Sequence, residues 1–412
     1  MPNPLSFAFI AALLLMGVLR LWLARRQIAH VSAHRAMVPA GFTERIELAA
    51  HQKAADYTIA RTRFGRIALA IEVAILLAFT FGGGLQALDD FWSPRLAGLS
   101  YGVALIFSVV FISAVVDLPL ALYRQFVIEQ RFGFNRMTLG TFLTDLLKQV
   151  ALGLVIGTPV LLVVLWLMER MGQWWWLYVW FFWCAFNLLL LFIYPTWIAP
   201  LFNKFAPLED AQLRSRVEAL LARCGFTSSG LFVMDGSRRS SHGNAYFTGF
   251  GRTKRIVFFD TLLGRLQSSE IEAVLAHELG HFRHRHVHKR IIMLFVISLT
   301  FLAVLGQLIT AEWFFAGLGL HSQNTALGLI LFFLVGPVFT FLLTPLLSLL
   351  SRRDEYQADR YAATNASASE LVTALVKLYE DNAATLTPDP LHSLFYDSHP
   401  PAALRIARLQ EA

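Results

Sequence analysis

His277-Glu278-Leu279-Gly280-His281 is the stretch that decides how this chain is read. It lies within residues 268–290, where Ile271, Val274, Leu275 and Leu279 form an apolar stripe at helical spacing. The whole stretch is therefore expected to be one helix. Two histidines four apart project from one face, one turn from each other, close enough to share a metal ion. Glu278 lies between them in sequence and leans over that metal without binding it. This is the HExxH arrangement, with two zinc ligands and a general base for a water. The competing reading is a surface helix that carries these residues by chance, and a third ligand separates the two.

The surrounding chain belongs in a membrane. Of its 412 residues 56% are apolar and only 15% charged, against about 25% charged in soluble proteins. Seven runs approach the roughly 20 apolar residues that a bilayer requires: 4–23, 67–88, 99–118, 150–167, 174–197, 291–318 and 326–350. The fourth is the weakest, and Trp174, Trp175 and Trp176 open the fifth as interfacial aromatics do. No cleavable signal peptide is expected, because Arg20, Arg25 and Arg26 come at or after the end of the first run. Arginines and lysines crowd the loops after the first and third runs, including Arg35, Arg45, Lys53, Arg124, Arg131 and Lys148. The positive-inside rule then places the N-terminus outside and the C-terminus in the cytoplasm. Topology accounts for the net charge of +7, so no nucleic-acid partner is inferred. Cys184 and Cys224 lack metal-ligand spacing, and a disulfide between them is not expected. Nothing in the sequence indicates an oligomeric state.

Glu72 falls inside the second run, where an acid is either functional or paired near the interface with Arg66 or a neighbour. Residues 129–138 mix charge and aromatics, and read either as packing for a catalytic domain or as a plain connector. Pro195 and Pro200 are expected to break the fifth helix at the membrane surface. Then come an amphipathic helix at 209–224 and short strands at 231–234, 245–248 and 256–259, the last two joined by a Gly-rich turn. A small sheet before the HExxH helix offers an edge strand for a peptide. Asn244 stands just before that strand and also suits a turn. The HExxH helix is expected to run directly into the sixth membrane run. His284, His286 and His288 follow and read mainly as a cluster that is either solvated or set behind the ligands.

The third ligand must come from further along. The chain returns to the same membrane side near Ser351, where Glu355 and Asp359 lie four apart on one helical face. A glutamate completes a His-His-Glu zinc site with a fourth position left for water. Asp359 is then placed to accept a hydrogen bond from the far ring nitrogen of a ligand histidine. The alternative is a surface ion pair with Arg352 or Arg360. Asp354 competes as ligand but faces about 100° away from Glu355. His399, near the end of the chain, is either a stabiliser of a tetrahedral oxyanion or an ordinary loop histidine.

Several segments together resemble the integral-membrane zinc CaaX prenyl proteases of the HExxH class. They are Phe132-Gly133-Phe134-Asn135, Pro200-Leu201-Phe202-Asn203, residues 241–249, residues 254–263, the HELGH stretch, residues 351–359, and Ser398-His399-Pro400-Pro401 with Arg405. The resemblance implies a mainly α, polytopic membrane protein. About seven transmembrane helices would enclose a chamber, under a zincin-like α+β metalloprotease domain on the cytoplasmic side. Residues 1–197 would form helices one to five, 198–290 the first part of the protease domain, 291–350 helices six and seven, and 351–412 its second part. By position, the resemblance makes His277, His281 and Glu355 ligands of one zinc ion and Glu278 the catalytic base. Asp359 and His286 become supporting residues behind the ligands, and Asn244 and His399 position substrate. The substrate is then a peptide or prenylated peptide, cut C-terminal to the lipidated cysteine. A membrane quality-control protease without a lipid requirement is the alternative. A transporter with structural zinc is a minor one, because few ionisable residues lie mid-membrane. The last four residues, Leu409–Ala412, carry no evident ER-retention signal, which favours a bacterial inner membrane over the ER.

Overall fold

The computed structural model describes residues 3–243, 245–248 and 253–411. Six helices among them are long and apolar enough to cross a membrane: Pro4–Ala33, Gly98–Glu129, Leu139–Arg170, Gly172–Phe202, His286–Leu308 and Thr325–Asn365. A seventh span is the pair Leu48–Phe79 and Gly84–Trp92, bent by 49°. The bend sits at consecutive glycines. Gly83 adopts φ 72°, and a Cβ on Gly82 or Gly84 would lie 2.8 Å from backbone atoms of Ala78.

Six of the seven expected apolar runs fall within one of these spans or the bent pair, whose helices outlast them; the run 291–318 does not. Hydropathy marks only the length in contact with lipid, whereas Leu48–Phe79 and Leu139–Arg170 continue into water to carry the soluble domain. Pro195 does not stop its helix as expected. The chain widens into a π-helical turn, Tyr194–Ile198, and resumes helix at Ala199–Phe202, a turn that tolerates the missing proline N–H. Helix 286–308 ends ten residues before the expected run, and a short helix Glu312–Ala316 follows it. Glu72 pairs with Arg20 of the first helix at 2.9 Å, so the interfacial-pair reading describes it, with a different partner from Arg66.

The spans stand apart around a chamber. In five of the six continuous spans only 6% to 22% of the most apolar window is buried, so most of each apolar surface faces lipid or the chamber and not a neighbouring helix. At the end remote from the HExxH helix, Phe9, Phe79, Leu85, Leu105, Phe315 and Leu331 pack into one apolar cluster that draws the helices together. At the other end the soluble domain covers them.

That domain holds a four-stranded sheet in the order β1 (Phe205–Pro207), β2 (Thr227–Met234), β4 (Thr253–Phe259), β3 (Ala245–Thr248). β2 and β4 are parallel, and β3 pairs antiparallel with β4, which leaves β3 at an edge. Helix Ala211–Arg223 covers the sheet through Val217, Leu220 and Leu221. Leu275, Ala276 and Leu279 of the HExxH helix enter the same core as Ile256 and Phe258 of β4. The segment at 129–138 packs beneath this domain, not as a plain connector. Tyr57 donates to Glu129 at 2.8 Å, Phe134 stacks on His242 at 4.5 Å, and Arg239 grips Asp145 with two hydrogen bonds of 2.8 and 3.0 Å.

Candidate active site

The HExxH helix is Ser268–Arg283. It starts at a capping box, in which Gln267 and Glu270 each satisfy the other's backbone N–H. Lys377 neutralises the buried Glu270 at 2.6 Å. The expected single helix over 268–290 is two. Arg285 adopts the left-handed conformation, φ 57°, and a new helix begins at His286. The turn lets the HExxH helix lie within the soluble core while the next helix enters the membrane.

Against it lies helix Thr344–Asn365, the cytoplasm-directed end of the last span in the expected topology. Their close approach depends on Gly280. A Cβ there would meet Ala358 Cα at 2.9 Å and Tyr361 Cβ at 3.1 Å. Gly280→Ala is therefore expected to force the helices apart and destabilise the protein by about 1–3 kcal/mol. Thermal unfolding in detergent checks this; an unchanged melting temperature would show that the contact yields freely.

The packing brings together His277, His281 and Glu355, whose ligand atoms all lie within 4.8 Å of one another. His277 Nε2 is 3.2 Å from His281 Nε2 and 3.4 Å from Glu355 Oε2, and His281 Nε2 is 3.5 Å from Glu355 Oε1. The far ring nitrogens are each held. His277 Nδ1 is 2.8 Å from Asp359 Oδ1. His281 Nδ1 is 3.0 Å from Nδ1 of His286, whose Nε2 is 3.0 Å from Gln357 Oε1 and 3.4 Å from Asp354 Oδ1. A proton on Nδ1 of each motif histidine faces these neighbours and leaves both Nε2 atoms toward Glu355. Burial alone would lower the His277 imidazole, but Asp359 and Glu355 outweigh it and raise its pKa to about 9. Burial, then the neighbouring His277, takes His281 down to about 3. Glu278 is half-buried, which pushes its carboxyl upward, and it makes no hydrogen bond or ion pair among the described residues.

Where the sequence leaves alternatives open, the structure selects among them. His286 is buried against His281, whereas His284 and His288 are exposed, so only the latter two are solvated. Asp354 points to His286 and Arg290, away from the three grouped donors. Asp359 pairs with neither Arg352 nor Arg360 but with Arg405, through hydrogen bonds of 2.9 and 2.5 Å. Asn244 lies outside the described residues. His399 borders the site, with Nε2 3.4 Å from Glu355 Oε1 and its side chain 59% exposed. It also lines a cavity of about 700 Å³ that runs between the first two helices, past Tyr57, Arg61 and Tyr396.

Arg405 had no role in the sequence reading beyond its place in a motif, because 46 residues separate it from Asp359 and no local pattern links them. It is buried, and the Asp359 carboxylate pushes its pKa further up against the cost of burial. Arg405→Gln strands that carboxylate and is expected to cost about 3–5 kcal/mol. Thermal unfolding of the variant measures it, and a loss below about 1 kcal/mol would place the pair among weak surface bridges.

Comparison with known proteins follows this geometry closely. The family model described as "CAAX prenyl protease N-terminal, five membrane helices" matches residues 27–204, and that of "Peptidase family M48" matches 207–412. The chain belongs to the M48 peptidase family. The "CAAX prenyl protease 1 homolog" of Oryza sativa subsp. japonica is 40% identical over 75% of this chain and 73% of its own length. That of Caenorhabditis elegans is 32% identical over 98% of both. The crystal structure of S. mikatae Ste24p superposes with a TM-score of 0.93 at 30% identity, covering 98% of this chain and 99% of that one. This M48 peptidase is thus a multi-pass membrane metalloendopeptidase of CaaX prenyl protease type. These relatives are eukaryotic and lend no support to a bacterial inner membrane.

Proposed function

We propose that this M48 peptidase uses one zinc ion to cleave a peptide C-terminal to a prenylated cysteine, at a site that opens on its membrane chamber. The observation that carries the reading is the convergence of His277, His281 and Glu355, with Glu278 beside them. The donors suit zinc: two imidazoles and a carboxylate are a set that leaves a fourth position open. Glu355 Oε2 is buried and lacks a hydrogen-bond partner among the described residues, as an oxygen reserved for a cation would be. His277 and His281 would hold the ion through Nε2, and Glu355 through its carboxylate. Zinc, when bound, supplies a Lewis acid that brings the pKa of water from 15.7 to about 7.

The chain's own residues do the rest. Glu278 takes a proton from the attacking water and returns it to the leaving amine, with its raised pKa suited to both transfers. Asp359, held by Arg405, accepts from His277 Nδ1–H and fixes that ring. His286 accepts from His281 Nδ1–H and donates its own Nε2–H to Gln357 Oε1. His399, on the cavity side, donates to the oxyanion as it develops. The outer edge of β3, the strand that follows Asn244 in sequence, is where the peptide adds as a further strand. The cavity between Tyr57, Arg61 and His399 leads the peptide in from the chamber, which takes the lipid. The arginine-rich loops support a cytoplasmic position for the protease domain.

What supports a prenylated substrate over quality control is the kinship to proteins known as CAAX prenyl proteases, from plants and animals. Purified protein is expected to cleave a farnesylated CaaX peptide, to stop when zinc is chelated and to resume when zinc is restored. Cleavage that persists through chelation would contradict a zinc enzyme.

A further inference from the structure

A second pocket lies on the far side of the Glu355 helix, and none of its lining residues belongs to the cavity beside His399. It is open to the surface, with a volume of about 440 Å³, and is lined by Arg352, Arg353, Arg360 and Arg408, with Tyr356 between them. Leu349 and Gln357 complete the wall, so no carboxylate faces it. Among the described residues none of the four guanidinium groups has a carboxylate partner. Arg408 lies over the Tyr356 ring at 3.7 Å, and Arg352 donates to the backbone carbonyls of Ser348 and Leu394. The contrast with their neighbours is sharp, since Arg405 and Arg290 both pair with acids. Four positive charges converging on one pocket repel each other, and an anion relieves that.

The position of the pocket says which anion. Leu346, Leu347, Leu349 and Leu350 are each about half exposed and end the apolar run of the last span. Arg352 and Arg353 follow at once, at the level where acyl chains give way to headgroups. Arginine forks match phosphate oxygens in pairs. The volume exceeds that of a bare phosphate and suits a phosphate with a glycerol attached. We propose that this pocket binds the headgroup of an anionic phospholipid, its phosphate held by Arg353, Arg360 and Arg408 and its acyl chains laid along Leu346 and Leu349. The site is independent of the peptidase reading, and its test involves no cleavage.

The full-length protein is placed in phosphatidylcholine nanodiscs doped with phosphatidylglycerol, and lipids that remain bound are counted by native mass spectrometry. The wild type is expected to retain phosphatidylglycerol over phosphatidylcholine. The double variant Arg353→Gln/Arg360→Gln is expected to lose that preference about thirtyfold, from two basic groups at the membrane surface. Zinc content and melting temperature confirm that the variant is folded. Equal retention of the two lipids by the wild type, or an undiminished preference in the folded variant, would overturn the proposal. A second arm needs no variant: inorganic phosphate and glycerol phosphate are titrated against the wild type. Failure of both to displace the lipid at millimolar concentration supports a lipid site; displacement by inorganic phosphate at micromolar concentration would make it a soluble-phosphate site and overturn the assignment to lipid.

Discussion

Glu278→Gln is expected to keep zinc bound and to lower turnover about a thousandfold, within the range that a general base contributes. The substitution preserves shape and removes only the capacity to take a proton. Glu278 is half-buried and, among the described residues, free of partners, so the variant breaks no bond there that holds the fold. His277, His281 and Glu355 remain at their present spacing. Zinc content by elemental analysis and single-turnover cleavage measure the two quantities separately. Turnover within a few-fold of wild type would remove Glu278 as the base. Loss of zinc would mean that it acts as a ligand.

Glu355→Ala is expected to lose both. Two imidazoles alone leave zinc one protein ligand short of the usual catalytic set of three, so zinc content after dialysis should fall well below one per chain and cleavage should vanish with it. The change also opens space beside His399, whose Nε2 stands 3.4 Å from Glu355 Oε1. Asp354→Ala is the paired control, because that carboxylate faces His286 and Arg290 and the variant should retain its metal. Full zinc occupancy in Glu355→Ala would remove Glu355 as a ligand. Loss of zinc in Asp354→Ala alone would transfer the role to Asp354.

How far the chain could be read depended on how local each signal was. The motif histidines, Glu278 and the seven apolar runs are short-range patterns, and the structure places the motif on one helix and most of each run on helices. The grouping of Glu355 with the histidines crosses 74 residues from His281 to Glu355 in sequence, yet it was legible because a membrane hairpin returns the chain to the side it left. Arg405 was not, because a buried ion pair is set by the docking of the C-terminal helix Ala402–Gln410 and leaves no periodic trace. β1 was missed as three residues ending in proline, too short for alternation to appear. The turn at Arg285 was missed because nothing in its neighbours marks a left-handed residue, and Pro195 was over-read because a π-helical turn absorbed it. Hydropathy located the spans but not their extensions into water, whose residues are shaped by the soluble domain and not by lipid.

The most direct test of a zinc peptidase that reads a lipidated C-terminus is cleavage, by purified protein in detergent, of two peptides of one sequence, farnesylated and unmodified. Each is run with and without a zinc chelator, and against Glu278→Gln. The account predicts cleavage of the farnesylated peptide alone, abolished by chelation and by the variant. Equal cleavage of both peptides would contradict the lipid-reading function and point to a broader membrane protease; cleavage that survives both chelation and Glu278→Gln would contradict the active site itself.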